Sequence, residues 1–319
     1  MSRRNKWIKA AVILLCAGAL ICLISMAVFG FDFGNLSTGK FVTKTFDIDD
    51  DFKNISIKAD VENISFVPSE DKNCKVVCYE DEKDPHNVRV EGDTLKIEKE
   101  NNKWHLNLGI TLESQEITVY LPEDTYGALS IDSDTGKVEI PGDFSFDSIS
   151  ADLDTGDVAC LADASDSIFI KTDTGYIKVS DLSANDLTLE SDTGRMDIFD
   201  VNISQDFNIS EITGRISMEN VSCRNLASKA DTGSLTMTNV IAEEQFNLES
   251  DTGNIELNGC DADTIYIRTD TGSVTGTLLT EKVFITESDT GSINVPKTIS
   301  GGRCEISTDT GNIRIEIKN

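Results

Sequence analysis

The chain has 319 residues and a formal charge of −28, from 56 acidic against 28 basic side chains. That balance lacks the basic footprint that DNA, RNA or anionic lipid requires, so nucleic acid is excluded as a partner. It suits a surface that attracts cations, and the recurring Ile, Leu and Val argue for a packed core rather than disorder.

At the N-terminus, Arg3, Arg4, Lys6 and Lys9 precede a run from Ala10 to Phe31 that carries no charge. About 20 apolar residues span a bilayer as a helix. The basic flank before the run predicts residues 1–9 in the cytoplasm, a single transmembrane helix over 10–31, and everything after it outside. A cleaved signal peptide is the competing reading, with Ser25-Met26-Ala27 as its cleavage site. The run exceeds the 7–15 residues of a signal-peptide core, which favours the uncleaved anchor. Cys16 and Cys22 do not make a lipoprotein site, because Leu15 and Ile21 stand where a small residue is needed. Residues 32–40 are small and polar and read as a linker.

From 41 to 125 the chain alternates as short strands: Phe41–Asp47, Asn54–Ala59, Asn63–Val67, Lys75–Tyr79, Val88–Glu91, Thr94–Lys99 and Glu116–Leu121. Glu91-Gly92-Asp93-Thr94 is a hairpin turn. The stretch from Asn101 to Ser114, with Trp104 and His105, reads as a loop. This region is expected to cap the remainder of the chain, since a stack of repeats must hide its first open edge.

From 126 to 319 the chain repeats. Asp-Thr-Gly begins at Asp134, Asp154, Asp173, Asp192, Asp231, Asp251, Asp270, Asp289 and Asp309, and a worn copy reads Ile212-Thr213-Gly214. The glycines fall 19 or 20 residues apart. Apolar residues stand seven and five positions before each glycine (Leu187 and Leu189 before Gly194) and two and four after it (Met196 and Ile198). Each unit is therefore strand, turn, strand, with period two on both sides. A third apolar residue near position seven closes the rung: Leu182, Val201, Val221, Val240, Cys260 and Leu279. Before Gly291 the apolar pair, Val283 and Ile285, is one residue out of step, which predicts a bulge. Two short strands cannot bury their apolar face alone, but stacked units can. The expectation is an all-β protein: a parallel β-solenoid of about ten 19–20-residue rungs with an N-terminal β cap, roughly 45–50 Å long at about 4.8 Å per rung. In this reading glycine supplies a positive φ at the corner, and the Asp side chain caps its own turn.

Stacking would align Asp134, Asp154, Asp173, Asp192, Asp231, Asp251, Asp270, Asp289 and Asp309 in one column. Carboxylates at that spacing repel, and calcium is the cation whose oxygen chemistry would suit them. Ile212 in the worn copy favours a structural role over a metal site. Asp-Thr-Gly is also the aspartic-protease tripeptide, but that chemistry uses two carboxylates sharing a proton, not nine in a ladder. With only His86 and His105, a Ser-His-Asp arrangement has little material. Cys74, Cys78 and His86 faintly resemble a metal cluster, yet residues four apart in a strand cannot form a local disulfide, and ordinary strand-core cysteines are the reading. Cys160, Cys223, Cys260 and Cys304 fall on the apolar pattern and are expected to be buried thiols. No catalytic or cofactor-binding residue emerges, and no small-molecule substrate is expected.

The set formed by a tether, Ile117-Thr118-Val119-Tyr120-Leu121-Pro122, and Leu129 to Ile140 with its Ser133-Asp134-Thr135-Gly136 resembles the bacterial "putative adhesin" family, domain of unknown function 4097, with β-strand repeats. The resemblance spans about 41–319. It implies a surface-exposed β-solenoid in a bacterial envelope, anchored by the N-terminal helix, with adhesion, envelope interaction or sensing as its role and no catalytic residues to carry over. The alternatives are a polysaccharide-active β-helix enzyme, disfavoured by a spacing that leaves no room for long loops, and a calcium-stabilised solenoid.

Overall fold

The computed structural model describes Gly18 and residues 40–70, 72–99 and 114–318. Apart from Gly18, the apolar run at 10–31 lies outside the described residues, and so does the loop expected over 101–114 apart from Ser114. Among the described residues, no helix is long and apolar enough to cross a membrane.

Nineteen strands follow in order: β1 Phe41–Ile48, β2 Asn54–Ala59, β3 Glu62–Pro68, β4 Cys74–Asp81, β5 His86–Glu91, β6 Thr94–Lys99, β7 Gln115–Leu121, β8 Thr125–Ile140, β9 Ser145–Cys160, β10 Asp163–Ala184, β11 Asp186–Ile203, β12 Asp206–Thr252, β13 Ile255–Cys260, β14 Thr264–Thr271, β15 Val274–Leu278, β16 Lys282–Thr290, β17 Ile293–Asn294, β18 Gly302–Thr310 and β19 Ile313–Ile317. From β8 onward the pairing is parallel and in register, equivalent residue on equivalent residue: Leu129 on Ile149, Ile168 on Leu187, Met196 on Ile216. The β-solenoid expected from the period is the architecture. Its inward residues at the two arms of each rung form one continuous apolar core, with Leu189, Met196 and Ile198 fully buried. The third apolar position is buried at Leu182, Val201, Val221, Val240 and Cys260. At the next rung a register shift between Asn258 and Cys260 places Leu278, not Leu279, opposite Cys260. Leu279 is 39% exposed.

The capping region is built onto this stack rather than beside it. Ile55, Ile57 and Ile64 pair in parallel with Leu129, Ile131 and Val138, so β2 and β3 form a rung without the tripeptide beneath the first repeat. The β5–β6 hairpin turns at Gly92 and extends the β2 side, and β7, β4 and β1 extend the β3 side, β4 and β1 by antiparallel pairing. The antiparallel strands end the in-register ladder and shield the first rung.

At the other end the order in space departs from the order in sequence. β18 pairs with β14 on one side and β16 on the other, while β19 lies between β15 and β17. The β18–β19 rung is therefore inserted between the two rungs that precede it in the chain. The inward residues explain this. Cys304, Ile306, Ile313 and Ile315 are buried and suit a rung covered on both sides. In β16 the residues aligned with the core are Phe284, Thr286 and Ser288, opposite Cys304, Ile306 and Thr308. Val283 and Ile285 face outward, 38% and 51% exposed. The expected bulge before Gly291 is thus absent: β16 keeps register through Thr290 on Thr310, and its apolar pair points to solvent.

Candidate functional site

Each Asp-Thr-Gly corner stacks on its neighbour, with Thr135 on Thr155, Thr174 on Thr193 and Thr271 on Thr310. The expected positive φ holds at Gly136, Gly156 and Gly233, at +146°, +159° and +157°, and not at the other tripeptide glycines. What excludes a side chain at all of them is proximity. A Cβ on any of the ten would lie 1.5 to 2.2 Å from a carbonyl oxygen of the adjoining rung.

The residue before each Asp, mostly Ser or Thr, points inward, a direction the sequence does not announce. Thr172, Thr269, Ser288 and Thr308 donate their hydroxyls to the carbonyls of Gly156, Gly253, Gly311 and Gly272 at 3.0 to 3.3 Å. A carbonyl crowded by the next glycine thereby gains a buried donor. The Asp side chains point outward. Among the described residues none of the nine accepts a hydrogen bond from its own turn, so the expected self-capping does not occur. Asp173 pairs with Lys171 and Asp270 with Arg268, both at 3.3 Å. No three of the nine bring oxygens within 4.8 Å of one another.

The left-handed corner lies six residues after the glycine. Asp181, Asp200, Asn220 and Asn239 have φ between 54° and 58°, and Gly259 follows at 66°. Asn and Asp tolerate this conformation best among residues with a side chain. Asn239 donates to Asn220, and Asn220 to Asp200, at 3.1 and 2.9 Å, a ladder of amides that ties three rungs together.

In the worn copy the polarity is exchanged. Glu211 stands at the inward position and is 2% exposed, while Ile212 is 46% exposed. Burial pushes the Glu211 carboxyl up to about 7.

A groove runs along the outer face of the arm that precedes the glycines. Its larger part, about 710 Å³, is lined by Glu249, Tyr266, Arg268, Ile285, Glu287 and Glu305 among others. A second depression of about 260 Å³, with Glu190, Asn208, Ser210 and Lys229, shares Asn247 and Glu249 with it. Its outward-facing lining residues fall six and four positions before a glycine. Period-two alternation around the inward pair marks these positions in the sequence, and the outward half of the pattern carries the surface. Arg303 pairs with Glu305 and lies over the Tyr266 ring at 6.0 Å. The groove offers carboxylates, amides, hydroxyls, the basic side chains of Arg268 and Lys229, and one half-buried aromatic ring.

Cys160, Cys223, Cys260 and Cys304 are buried free thiols, as are Cys74 and Cys78. Of the faint cluster in the cap, Cys78 and His86 come together, and Glu80 joins them.

The Toastrack DUF4097 family model matches residues 52–211 and 204–319. No curated protein matches the chain. Among solved structures it is similar to a "putative adhesin" from Bacteroides fragilis, 15% identical, covering 87% of this chain and 97% of that one, with a TM-score of 0.35. A "putative adhesin" from Parabacteroides distasonis is 13% identical over 88% and 98%, TM-score 0.42, and a "Putative lipid binding protein" from the same species is 14% identical over 76% and 98%, TM-score 0.42. With the family model matching far more than half of its length, the chain belongs to the Toastrack DUF4097 family.

Proposed function

We propose that the protein is an extracytoplasmic surface module, held to the membrane by the helix at 10–31, that binds an envelope or cell-surface component along its outer groove without chemical turnover. The observation that carries this reading is the groove. It crosses several rungs, is shallow and open, and is built from rigid in-register strands, so it offers a long flat contact rather than an enclosed reaction chamber. Its Asn and Ser groups with the Tyr266 ring suit a neutral hydroxylated polymer, and its Glu side chains suit a cationic one. An anionic polymer would be repelled by the charge of −28. The test has two parts. Protease added to intact cells should digest residues 32–319. The purified chain should be retained on an immobilised neutral glycan or cationic polymer, and Tyr266→Ala with Glu249→Gln should weaken retention about tenfold. Protection from protease, or retention unaffected by the double substitution, would refute the reading.

A second reading has one observation behind it. The groove gathers Glu249, Glu287 and Glu305, and paired carboxylates are the machinery of glycoside cleavage. Glu249 and Glu287 are exposed, and Glu305 is paired with Arg303, so an apolar wall to hold one of them protonated is missing from their surroundings among the described residues. Release of reducing ends from a polysaccharide by the wild type, lost in Glu287→Gln, would establish the enzyme.

A further inference from the structure

The cap encloses a cluster that the surface role does not use. Glu62, Glu80 and His86 have side chains with no exposure at all, and Cys78 is likewise buried. Two of its members, Cys78 and His86, stand out in the sequence, and Glu80 and Glu62 do not. Glu62 closes the corner of the β2–β3 rung, in the place that glycine holds in every repeat above it, as the pairing of Ile64 with Val138 requires. Its Oε2 accepts from the backbone N–H groups of Asp60 and Val61 at 2.8 and 3.0 Å. Its Oε1 is left facing the interior. Cys78 and Glu80 lie on the same inward face of β4, two residues apart. The turn after β4 brings His86 back against them. The His86 backbone N–H donates to Glu80 Oε2 at 2.7 Å, and its Nδ1 lies 2.6 Å from the same oxygen.

Burying two carboxylates beside an imidazole is unfavourable unless they are compensated. The compensation here is partial. Lys99 contacts Glu62 Oε1 at 2.6 Å and Lys44 contacts Glu80 Oε1 at 2.8 Å. His86 Nε2 makes no hydrogen bond and sits 3.6 Å from Glu62 Oε1. Cys78 Sγ, a Glu80 carboxylate oxygen and a His86 ring nitrogen lie within 4.8 Å of one another. Among the described residues they are the one such group of three.

We infer that Cys78, Glu80 and His86 bind a divalent transition ion of the zinc class. Thiolate, imidazole and carboxylate together select a borderline-soft metal over calcium or magnesium. When the ion takes Nδ1, the ring proton sits on Nε2 and points at Glu62, giving the carboxylate partner that a ligating histidine requires. Glu62, in turn tied to the Asp60–Val61 backbone and to Lys99, is a positioning residue rather than a ligand. Charge closes as well. Lys44 is partly exposed and free to turn to solvent on ion entry. A Cys78 thiolate, Glu80, Glu62 and the Lys99 ammonium then leave two negative charges, which a divalent ion neutralises. The thiol gives up one proton on binding, and three protein ligands leave one tetrahedral position for water. The ion would fasten β4, the turn after it and, through Glu62, the first rung of the solenoid.

Cobalt(II) is the probe, added to the full-length chain in detergent after stripping with a chelator. The expected result is a thiolate-to-cobalt charge-transfer band in the near ultraviolet with visible bands of a tetrahedral ion, saturating at one equivalent and displaced by zinc. Cys78→Ser should abolish the charge-transfer band. Cys160→Ser, a buried thiol elsewhere, should keep it, and Glu62→Gln should keep it while weakening affinity 10–100-fold. Absence of the band in the folded wild-type chain overturns the proposal, whatever the variants do. So does a band that survives Cys78→Ser, which would place the thiolate elsewhere.

Discussion

A methyl group on Gly194 would meet the Gly175 carbonyl oxygen at 1.8 Å, a contact no rotamer relieves because both partners are backbone. Gly194→Ala should therefore cost about 3 kcal/mol in denaturant unfolding, the upper range for overpacking. Gly92 is the control. It has φ +66° at the β5–β6 turn and open space around a Cβ, so Gly92→Ala should cost only about 1 kcal/mol of backbone strain. Equal losses at the two positions would refute the close-approach account. Glu211 gives the residue-scale pH prediction. Its carboxyl is raised from 4.5 to about 7 by burial, so the native chain holds a proton there that the unfolded chain releases. That contribution is fully present below about pH 4.5 and is lost as pH rises through about 7. Glu211→Gln should remove this part of the slope and melt at a higher temperature than wild type above pH 8. A melting difference between the two that does not change with pH would refute it. The sequence shows both residues, but not their reasons. A glycine at a corner suggests dihedral freedom, and only the distance to the next rung shows that proximity decides. The Ser or Thr that usually stands before the Asp is plain in the sequence, and only its inward pointing reveals a donor to the crowded carbonyl.

The interleaved rung sets the prediction at the level of elements. β14 and β16 do not pair with each other, and both pair with β18. Removing residues 302–319 takes away a middle layer, not an end. It should expose both flanking rungs, so that β16 and β17 lose hydrogen-exchange protection entirely while β11 keeps its own. Retained protection in β16 would show that it can close the gap and stack directly on β14. The strands, their inward pairs and the parallel stack were readable from the 19–20-residue period, because a strict repeat with alternating polarity has few ways to bury its apolar half. Rung order was not. Similar rungs present similar ladders, so the period alone does not say which stacks on which. The sequence does hold the clue, in that Thr286 and Ser288 face inward where Ile306 and Thr308 stand in the inserted rung. The out-of-step Val283 and Ile285 were visible, and a bulge was the wrong remedy for them. The left-handed corner of Asp181, Asp200, Asn220, Asn239 and Gly259 was hidden because three residue types share one conformational role.

Across the whole molecule, the outward Asp column is a row with a spacing near 4.8 Å, and no three of its carboxylates converge. An ion held by two carboxylates in water gains little. Millimolar calcium should therefore leave the melting temperature unchanged, whereas a rise of several degrees would make the column a binding site. The groove positions recur in every rung and are legible as the outward half of the alternation, whereas which rungs adjoin there is not. In the cap, Cys78, Glu80 and His86 lie close in the chain, but the repeat predicts only what recurs and says nothing of the turn that brings them together or of Glu62 beside them. Glu62 replaces a glycine in a rung that carries no tripeptide, so nothing marks it as equivalent.

The inserted β18–β19 rung also has a consequence for time. A chain made from its N-terminus can add one rung at a time onto a finished edge, each step local. The β16–β17 repeat cannot reach its final place this way, because its neighbour does not yet exist. Either it docks early on β14 and must be displaced, or it waits unpaired until β18 and β19 have been made. In both cases the final step is a slow insertion against an occupied or exposed edge. The rod is then latched by a segment made after the rungs on either side of it, so a truncated product is left with an edge open to other chains.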